Sequence, residues 1–244
     1  MSILYCLHKN PEKVSGYGII MVKGESKMTV LKKVTMKDQV YALLKERIFN
    51  QTYKQGEKIN MLELAQELGV SNSPIREALS LLESEGLVVF TPNAGPKVIN
   101  MDERIFAEIQ ETARILLLGC YEQCVRKNLT EKLLERAEAC IRKQRELQFD
   151  DSEESESEFA RIAVDFDISV MKVLGNKTLE QLYAAFVNQL FLVVLYDHVH
   201  SNIDRGENIR QHEEIVEAIK ANNHEEVRRC IYSHFGRHAD SHVK

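Results

Sequence analysis

No uninterrupted apolar run in this 244-residue sequence reaches the roughly 18 residues needed to cross a bilayer. The longest such stretch, around Phe186 to Leu195, is broken by Asn188 and Gln189. The N-terminus has no secretory apolar segment followed by a small-residue cleavage site, so the expectation is a cytoplasmic chain with no membrane partner. The five cysteines (Cys6, Cys120, Cys124, Cys140 and Cys230) are odd in number and contain no CxxC pair. With Cys120 and Cys124 four apart in an apolar helical stretch, they read as reduced, buried thiols rather than a disulfide framework or a metal knuckle. There is no internal repeat, and no nucleophile stands beside a base in a shared motif, which counts against an enzyme.

What is present is the composition of an ordered globular chain, 44% hydrophobic and 28% charged. The net charge of −5 conceals an asymmetry. Through residue 100 there are 13 Lys+Arg against 10 Asp+Glu, a net of +3, and the remainder has 19 against 27, a net of −8. Between Thr29 and Asn60 the balance is seven basic to three acidic. A polyanionic partner therefore belongs to the N-terminal part, although charge alone proves little.

Residues 1–35 show no sustained periodicity and read as a flexible arm. From Lys37, Val40, Leu43, Leu44, Ile48 and Phe49 recur at helical spacing on one face. Gly56 marks a turn before a second helix from Met61 to Leu68, which Gly69 ends. Ser71 starts a third helix with Pro74 in its first turn, and Gly86 stops it. Leu87–Phe90 and Lys97–Ile99 are short β-rich runs around the turn Pro92-Asn93-Ala94-Gly95-Pro96. Beyond Asp102 the pattern is helical in segments near 103–127, 129–149, 154–173, 177–200, 208–222 and 224–242, and the acidic run 150–158 reads as a solvated loop or helix start.

Three helices and a hairpin form the layout of a winged helix-turn-helix. Its second helix offers N-terminal residues to base edges in the major groove. Ser71 suits a helix cap lying near a phosphate, Asn72 and Ser73 offer short polar groups, and Arg76 is the long cation one turn further in. The wing residues Asn93, Gly95 and Lys97, with Lys37 of the basic first helix, complete the expected contact set for double-stranded DNA. Taken residue by residue, an ordinary capped helical hairpin explains the pattern equally well.

The longer string decides it. Leu64-Ala65-Gln66-Glu67-Leu68-Gly69-Val70-Ser71-Asn72-Ser73-Pro74-Ile75-Arg76-Glu77-Ala78-Leu79, with Leu82-Glu83-Ser84-Glu85-Gly86-Leu87-Val88 and Gly95-Pro96-Lys97-Val98, resembles the DNA-binding domain of the GntR family across residues 37–99. There are departures. Asn72 stands where the family has Arg, and Leu62 where it often has a polar or basic residue. The Gly-x-x-x-Pro-Gly turn reads Gln51-Thr52-Tyr53-Lys54-Gln55-Gly56. Asn72 and Leu62 remove two cationic contacts, which implies either lower affinity per half-site or an altered base preference, since Asn favours adenine over guanine.

The helical segment 102–244 is similar to the FCD effector domain of FadR-like GntR regulators, which implies a six- or seven-helix bundle around a cavity for a small organic acid, often with a metal. Aligned on Val173-Leu174-Gly175-Asn176, the family's Asp position falls on Ala163 and its first His position on Asp167, while His212 and His234 match the later two. Asp167, His212 and His234 still form a carboxylate-plus-two-imidazole trio suited to Zn, Ni or Mn. The alternative is that the histidines meet an organic anion directly. His238 is a substitute ligand candidate. Arg114 sits where the family places a pocket arginine, a fork for a carboxylate or else a salt bridge between helices. Leu118 replaces the usual Glu.

The expected architecture is mainly α: a winged helix-turn-helix over 36–101, then an all-helical ligand-binding and dimerisation domain over 102–244. The function it implies is a homodimeric regulator, a repressor in the family's usual manner, reading an inverted-repeat operator under the control of an organic acid. Two rivals stand beside it: a constitutive DNA binder whose bundle only dimerises, and a metal-dependent helical enzyme.

Overall fold

The computed structural model of the protein describes residues 34–147, 152–200 and 205–236. The expected N-terminal arm up to residue 33 and His238 lie outside them. The elements run α1 (Met36–Phe49), α2 (Met61–Leu68), α3 (Asn72–Ser84), β1 (Val88–Thr91), β2 (Gly95–Val98), α4 (Glu103–Arg126), α5 (Thr130–Glu146), α6 (Glu153–Asp167), α7 (Ser169–Leu174), α8 (Lys177–His200), α9 (Arg205–Lys220) and α10 (His224–His234). The mainly helical class, with a two-stranded antiparallel hairpin followed by a helical bundle, is as the sequence implied.

Local chemistry sets the boundaries of the head. Thr35 and Asp38 form a reciprocal capping box at the start of α1. Asn60 Oδ1 accepts from the Leu62 and Glu63 amides to open α2, and Gly69 closes it at φ 64°, a left-handed conformation that costs glycine little. Leu44, Leu64, Ile75, Ala78, Leu79 and Leu82 close the core beneath α1, α2 and α3. The hairpin pairs Val88 with Val98 and Thr91 with Gly95.

The altered turn after α1 has a physical cost. Gln51, at the position where the family has Gly, adopts φ 61°, a region where a Cβ meets the following carbonyl and costs roughly 1–2 kcal/mol. Gln51→Gly should therefore stabilise the chain by about 1 kcal/mol, read as a higher urea midpoint at unchanged slope; a lower midpoint would contradict the strain. The lost proline is replaced usefully. Gln55 Oε1 accepts from the Met101 amide at 2.9 Å, tying this turn to the segment that leads into the bundle.

Two features of the bundle differ from the sequence expectation. The helix expected over 154–173 is split at Ile168 into α6 and α7. Ser169 Oγ bonds back to the Asp165 carbonyl four residues earlier at 2.8 Å, a competition that bends helices, and Asp167 thereby becomes the last residue of α6. The last helix, expected to reach 242, ends at His234 with Phe235 as its cap. The described part of the acidic run is the start of α6, one of the two readings the sequence allowed, with Ser152 as its cap; Glu158 is exposed, while Ser155 and Ser157 between the carboxylates are buried.

Over Lys177–Tyr196 the mean hydropathy of 1.4 is high enough for a membrane span despite the polar interruptions, but half of that stretch is buried inside the protein. In this fold α8 is a core helix packed on α4 and α6. The described cysteines, Cys120, Cys124, Cys140 and Cys230, are free and buried as expected. Burial pushes their thiols up, Cys124 to about 11, which makes them poor nucleophiles.

Head and bundle are joined by a polar and aromatic seam. Glu85, at the end of α3, accepts from Tyr41 Oη at 2.6 Å, Lys45 Nζ at 3.0 Å and, from α8, Asn188 Nδ2 at 2.7 Å. Arg161 of α6 grips both oxygens of Glu46 on α1, at 3.0 and 3.2 Å, while lying over the rings of Phe49 and Phe191. Those rings are 4.2 Å apart between centroids. Gly86 turns the chain at φ 69° against α8, where any side chain would run into the Gln189 carboxamide.

Candidate DNA interface and buried Asp-His-His centre

Ser71, Asn72, Ser73 and Arg76 are all exposed at the start of α3. Ser71 occupies the N-cap position, but its hydroxyl makes no cap hydrogen bond. The expected capping bond is therefore absent, and the hydroxyl is left for an outside acceptor. Ser73 Oγ donates to Glu77 at 3.2 Å. Arg76 forms no ion pair among the described residues, so its guanidinium is uncommitted. On the wing, Asn93 is exposed at φ 62°, and Gly95 turns at φ 81°. Lys97 is half-buried, and its backbone forms an isolated antiparallel β-bridge with that of Lys58, a cation the expected contact set omitted. Lys37 is half-buried beside Asp38, 3.9 Å away.

An open cleft of about 530 Å³ lies between the start of α2 and the wing, lined in part by Lys58, Asn60, Asn93 and Gly95. Leu62, 67% exposed, stands at its edge. The departure from the family's polar residue is thus a solvent-facing apolar side chain, with no buried partner to explain it.

The second constellation is interior. Asp167 and His212 are buried, and His234 keeps slight exposure. Their ligand atoms lie within 4.8 Å of one another, so the trio read from the resemblance does meet in space, drawn from α6, α9 and α10. Asp167 Oδ1 stands 3.2 Å from His234 Nε2 and 3.5 Å from His212 Nε2. The longer approach is not a hydrogen bond, and His212 Nε2 is buried without a partner. Phe166 stacks on His212 at 3.8 Å and Phe235 packs edge-on to His234, which holds both rings in place. Ala163, where the family has its Asp, is fully buried and offers no donor.

Burial raises the Asp167 carboxyl, whereas hydrogen bonds donated by the His212 and His234 rings, where their Nε2 atoms carry hydrogen, outweigh that and hold it at about 2. Burial pushes His212 down from 6.5 to about 4, although Asp167 pulls the other way. At neutral pH the carboxylate is ionised and the His212 ring is neutral. The anion also sits at the C-terminal end of α6, where the helix dipole repels it. A buried carboxylate in that position, faced by an unpartnered imidazole nitrogen, fits a cation. Bonds of about 2.0–2.2 Å to one ion place neighbouring ligand atoms roughly 3–3.5 Å apart, as the two Nε2–Oδ1 distances already are.

These shifts have a stability consequence with a defined sign. The His212 pKa is lower folded than unfolded, so its neutral form contributes stability above about 6.5 that is lost as pH falls towards about 4. The Asp167 contribution is lost only lower, through about 2. The metal-free protein should lose urea resistance between pH 6.5 and pH 4, and His212→Gln should flatten that slope; an unaltered slope would place its origin elsewhere.

Among the described residues Arg114 is not paired with a carboxylate. Its Nη1 donates to the Phe235 carbonyl at 3.4 Å and its guanidinium lies 5.6 Å from the Tyr232 ring centroid, so it braces the end of α10, one residue beyond His234. The salt bridge between helices that the sequence left open for Arg114 is not formed among the described residues. Leu118 packs against the core. A second surface cleft, about 400 Å³, is lined by α9 and α10 residues such as Glu214 and Arg229 and does not include the trio.

Sequence reasoning missed Gln144 and Gln211, whose Oε1 atoms lie 2.9 and 2.8 Å from Nδ1 of His212 and His234. Gln144 carried a legible signal: it continues the buried face Leu133, Ala137, Cys140 and Ile141 of α5 as a polar residue, itself fully buried.

Comparison with known proteins agrees with this arrangement. Residues 36–98 match the family described as bacterial regulatory proteins, gntR family, and residues 108–237 match the FCD domain. The chain is 31% identical to the HTH-type transcriptional regulator YdhC of Bacillus subtilis (strain 168) over 213 residues, 84% of this chain and 90% of that one. It is 24% identical over 207 residues to the Uxu operon regulator of Haemophilus influenzae, covering 79% and 76% of the two chains. Among solved structures, a GntR regulator from Rhodococcus sp. RHA1 shares the fold at a TM-score of 0.63 and 17% identity, over 84% of this chain and 96% of that one. McbR/YncC of E. coli does so at 0.55 and 21%, over 85% and 97%. The chain belongs to the GntR family of bacterial regulatory proteins: it is a DNA-binding transcriptional regulator with a C-terminal FCD domain.

Proposed function

We propose that this regulator is an effector-controlled repressor, in which a homodimer sets two heads on an inverted-repeat operator and a small organic acid in the bundle changes their fit to DNA. The observation that carries the control is the buried trio: an ionised carboxylate at a helix C-terminus faced by two imidazole nitrogens, one of them unpartnered. Asp167, His212 and His234 would hold a divalent ion of the Zn, Ni or Mn type. Such an ion supplies a positive centre with open positions for a carboxylate. Arg114 adds a second cation at the end of α10, from which a carboxylate would have to displace the Phe235 carbonyl.

On the DNA side, Ser71, Asn72, Ser73 and Arg76 are assigned to the major groove edge, with Lys37 and the wing residues Asn93, Gly95 and Lys97 assigned to the backbone and adjoining groove. Coupling between the two ends has a material route. Helix α6 carries Asp167 at its end and Arg161 less than two turns earlier, and Arg161 holds Glu46 on α1. A change at the trio that moves α6 is felt by the head, and a ligand that favours one placement shifts the equilibrium. Arg161→Ala should leave zinc affinity within about threefold and shrink the zinc- or acid-dependent change in operator affinity; an unchanged response would remove α6 from the route.

A second reading, a constitutive binder whose bundle only dimerises, is favoured by the burial of Asp167 and His212 inside the bundle. Metal-stripped protein distinguishes the two in a thermal-shift series with Zn²⁺, Ni²⁺ and Mn²⁺, then a panel of small organic acids. Ligands that bind only the folded state raise Tm. A Tm that none of them moves leaves the constitutive reading standing.

A further inference from the structure

A neutral imidazole has one N–H and one lone pair, and the partner of one nitrogen decides the chemistry of the other. His212 Nδ1 faces Gln144 Oε1 at 2.9 Å and His234 Nδ1 faces Gln211 Oε1 at 2.8 Å. Both carboxamides are held in that sense from behind. Gln211 Nε2 donates to the Glu207 carboxylate at 2.9 Å, a group that can only accept. Gln144 Nε2 donates to Asn208 Oδ1 at 3.1 Å in a buried position. Rotating the Gln211 amide would set its oxygen against the Glu207 carboxylate, and rotating that of Gln144 would set its oxygen against Asn208 Oδ1 unless Asn208 turned with it. An amide oxygen cannot donate, so the hydrogen of each ring belongs on Nδ1. Both Nε2 atoms are left as lone pairs directed at one oxygen of Asp167, so in this tautomer the 3.2 Å His234 contact is not a hydrogen bond either, and all three groups repel until a cation lies between them.

We propose that Gln144 and Gln211 are positioning residues that hold His212 and His234 as Nδ1–H tautomers, which makes the trio a cation-binding centre instead of a hydrogen-bonded structural triad. The inference rests on the metal-binding reading above and adds residues that lie outside the trio. With the opposite tautomers, each ring would donate Nε2–H to Asp167, and the cluster would be satisfied without an ion. The glutamines remove that solution. They come from α5 and α9, so the tautomers depend on the packing of these two helices against α6 and α10.

The test begins with ¹⁵N-labelled, metal-free full-length chain, whose two-bond ¹H–¹⁵N spectra report the tautomer of each histidine. Nδ1–H on both His212 and His234 is the expected result, and Nε2–H on either ring overturns the proposal. Zinc titration against a competing chelator follows. Gln144→Leu and Gln211→Leu should each weaken zinc binding by about 10–100-fold. A Leu variant that melts cooperatively and binds zinc as tightly as the parent overturns the positioning role. If neither Leu variant folds, the spectra of the parent chain decide. Correct tautomers in a parent chain that takes up no zinc would overturn the cation-centre claim through the metal reading and leave the glutamine–imidazole geometry intact, so the two failures are told apart.

Discussion

Asp167→Ala should abolish the zinc-dependent rise in Tm and weaken zinc binding by at least about 100-fold, while the metal-free variant stays folded. Two imidazoles remain in this variant, but the charge that opposes the ion is gone, and carboxylate and imidazole together form the donor set such ions select. The family's Asp position cannot compensate, because Ala163 is buried without a polar atom. Metal-free stability should fall little or rise, since a buried anion at the C-terminal end of α6 is removed. Asp167→Asn separates charge from shape: it retains an oxygen of the same size and should still lose most of the affinity. Isothermal titration with Zn²⁺, beside thermal melts of stripped protein, checks both variants. Affinity within a few-fold of the parent in Asp167→Ala would place any metal elsewhere.

Arg76→Ala should weaken operator binding by about 1–3 kcal/mol if the guanidinium meets a base edge. The structure leaves this side chain available at the exposed start of α3. It is exposed and has no ion pair among the described residues, whereas Arg47 is bound to Glu67, Lys45 to Glu85 and Lys37 to Asp38. Asn72 stands where the family carries another arginine, so the loss is not shared with a neighbouring cation. The form of the loss identifies the contact. A base contact relaxes preference at one operator position, and a phosphate contact lowers affinity evenly and reduces the salt slope by about one. Fluorescence anisotropy on a duplex selected by the protein from a random library, at several salt concentrations, distinguishes them. Full affinity in a folded variant would refute the assignment of α3 as the reading helix.

The head was legible because its signals are local. The Gly69 turn, Pro74 in a first turn and the spacing of Ile75, Ala78, Leu79 and Leu82 each fix backbone or burial within a few residues. The trio was legible only through the resemblance, since Asp167, His212 and His234 come from three separate helices and no spacing rule joins them. The break at Ile168 was hidden because a serine such as Ser169 is compatible with a continuing helix until its hydroxyl turns back on the Asp165 carbonyl. The seam of Glu85, Lys45, Asn188, Arg161 and Glu46 was invisible for another reason. Each residue reads as a surface charge or amide in its own helix, and only packing of α1 and α3 on α6 and α8 brings the partners together. Arg114 was found as a residue of interest, but not its hold on the Phe235 carbonyl, which depends on where α10 ends.

Control of DNA binding by the buried centre is tested most directly by operator affinity of the full-length chain, measured by anisotropy in three states: metal-stripped, zinc-loaded, and zinc-loaded with each of a panel of small organic acids. Affinity should change by about 5–150-fold between at least two of these states, the usual range of allosteric coupling, and Asp167→Ala should be insensitive to zinc. Equal affinity in all three states, with zinc uptake confirmed by elemental analysis, would contradict the account.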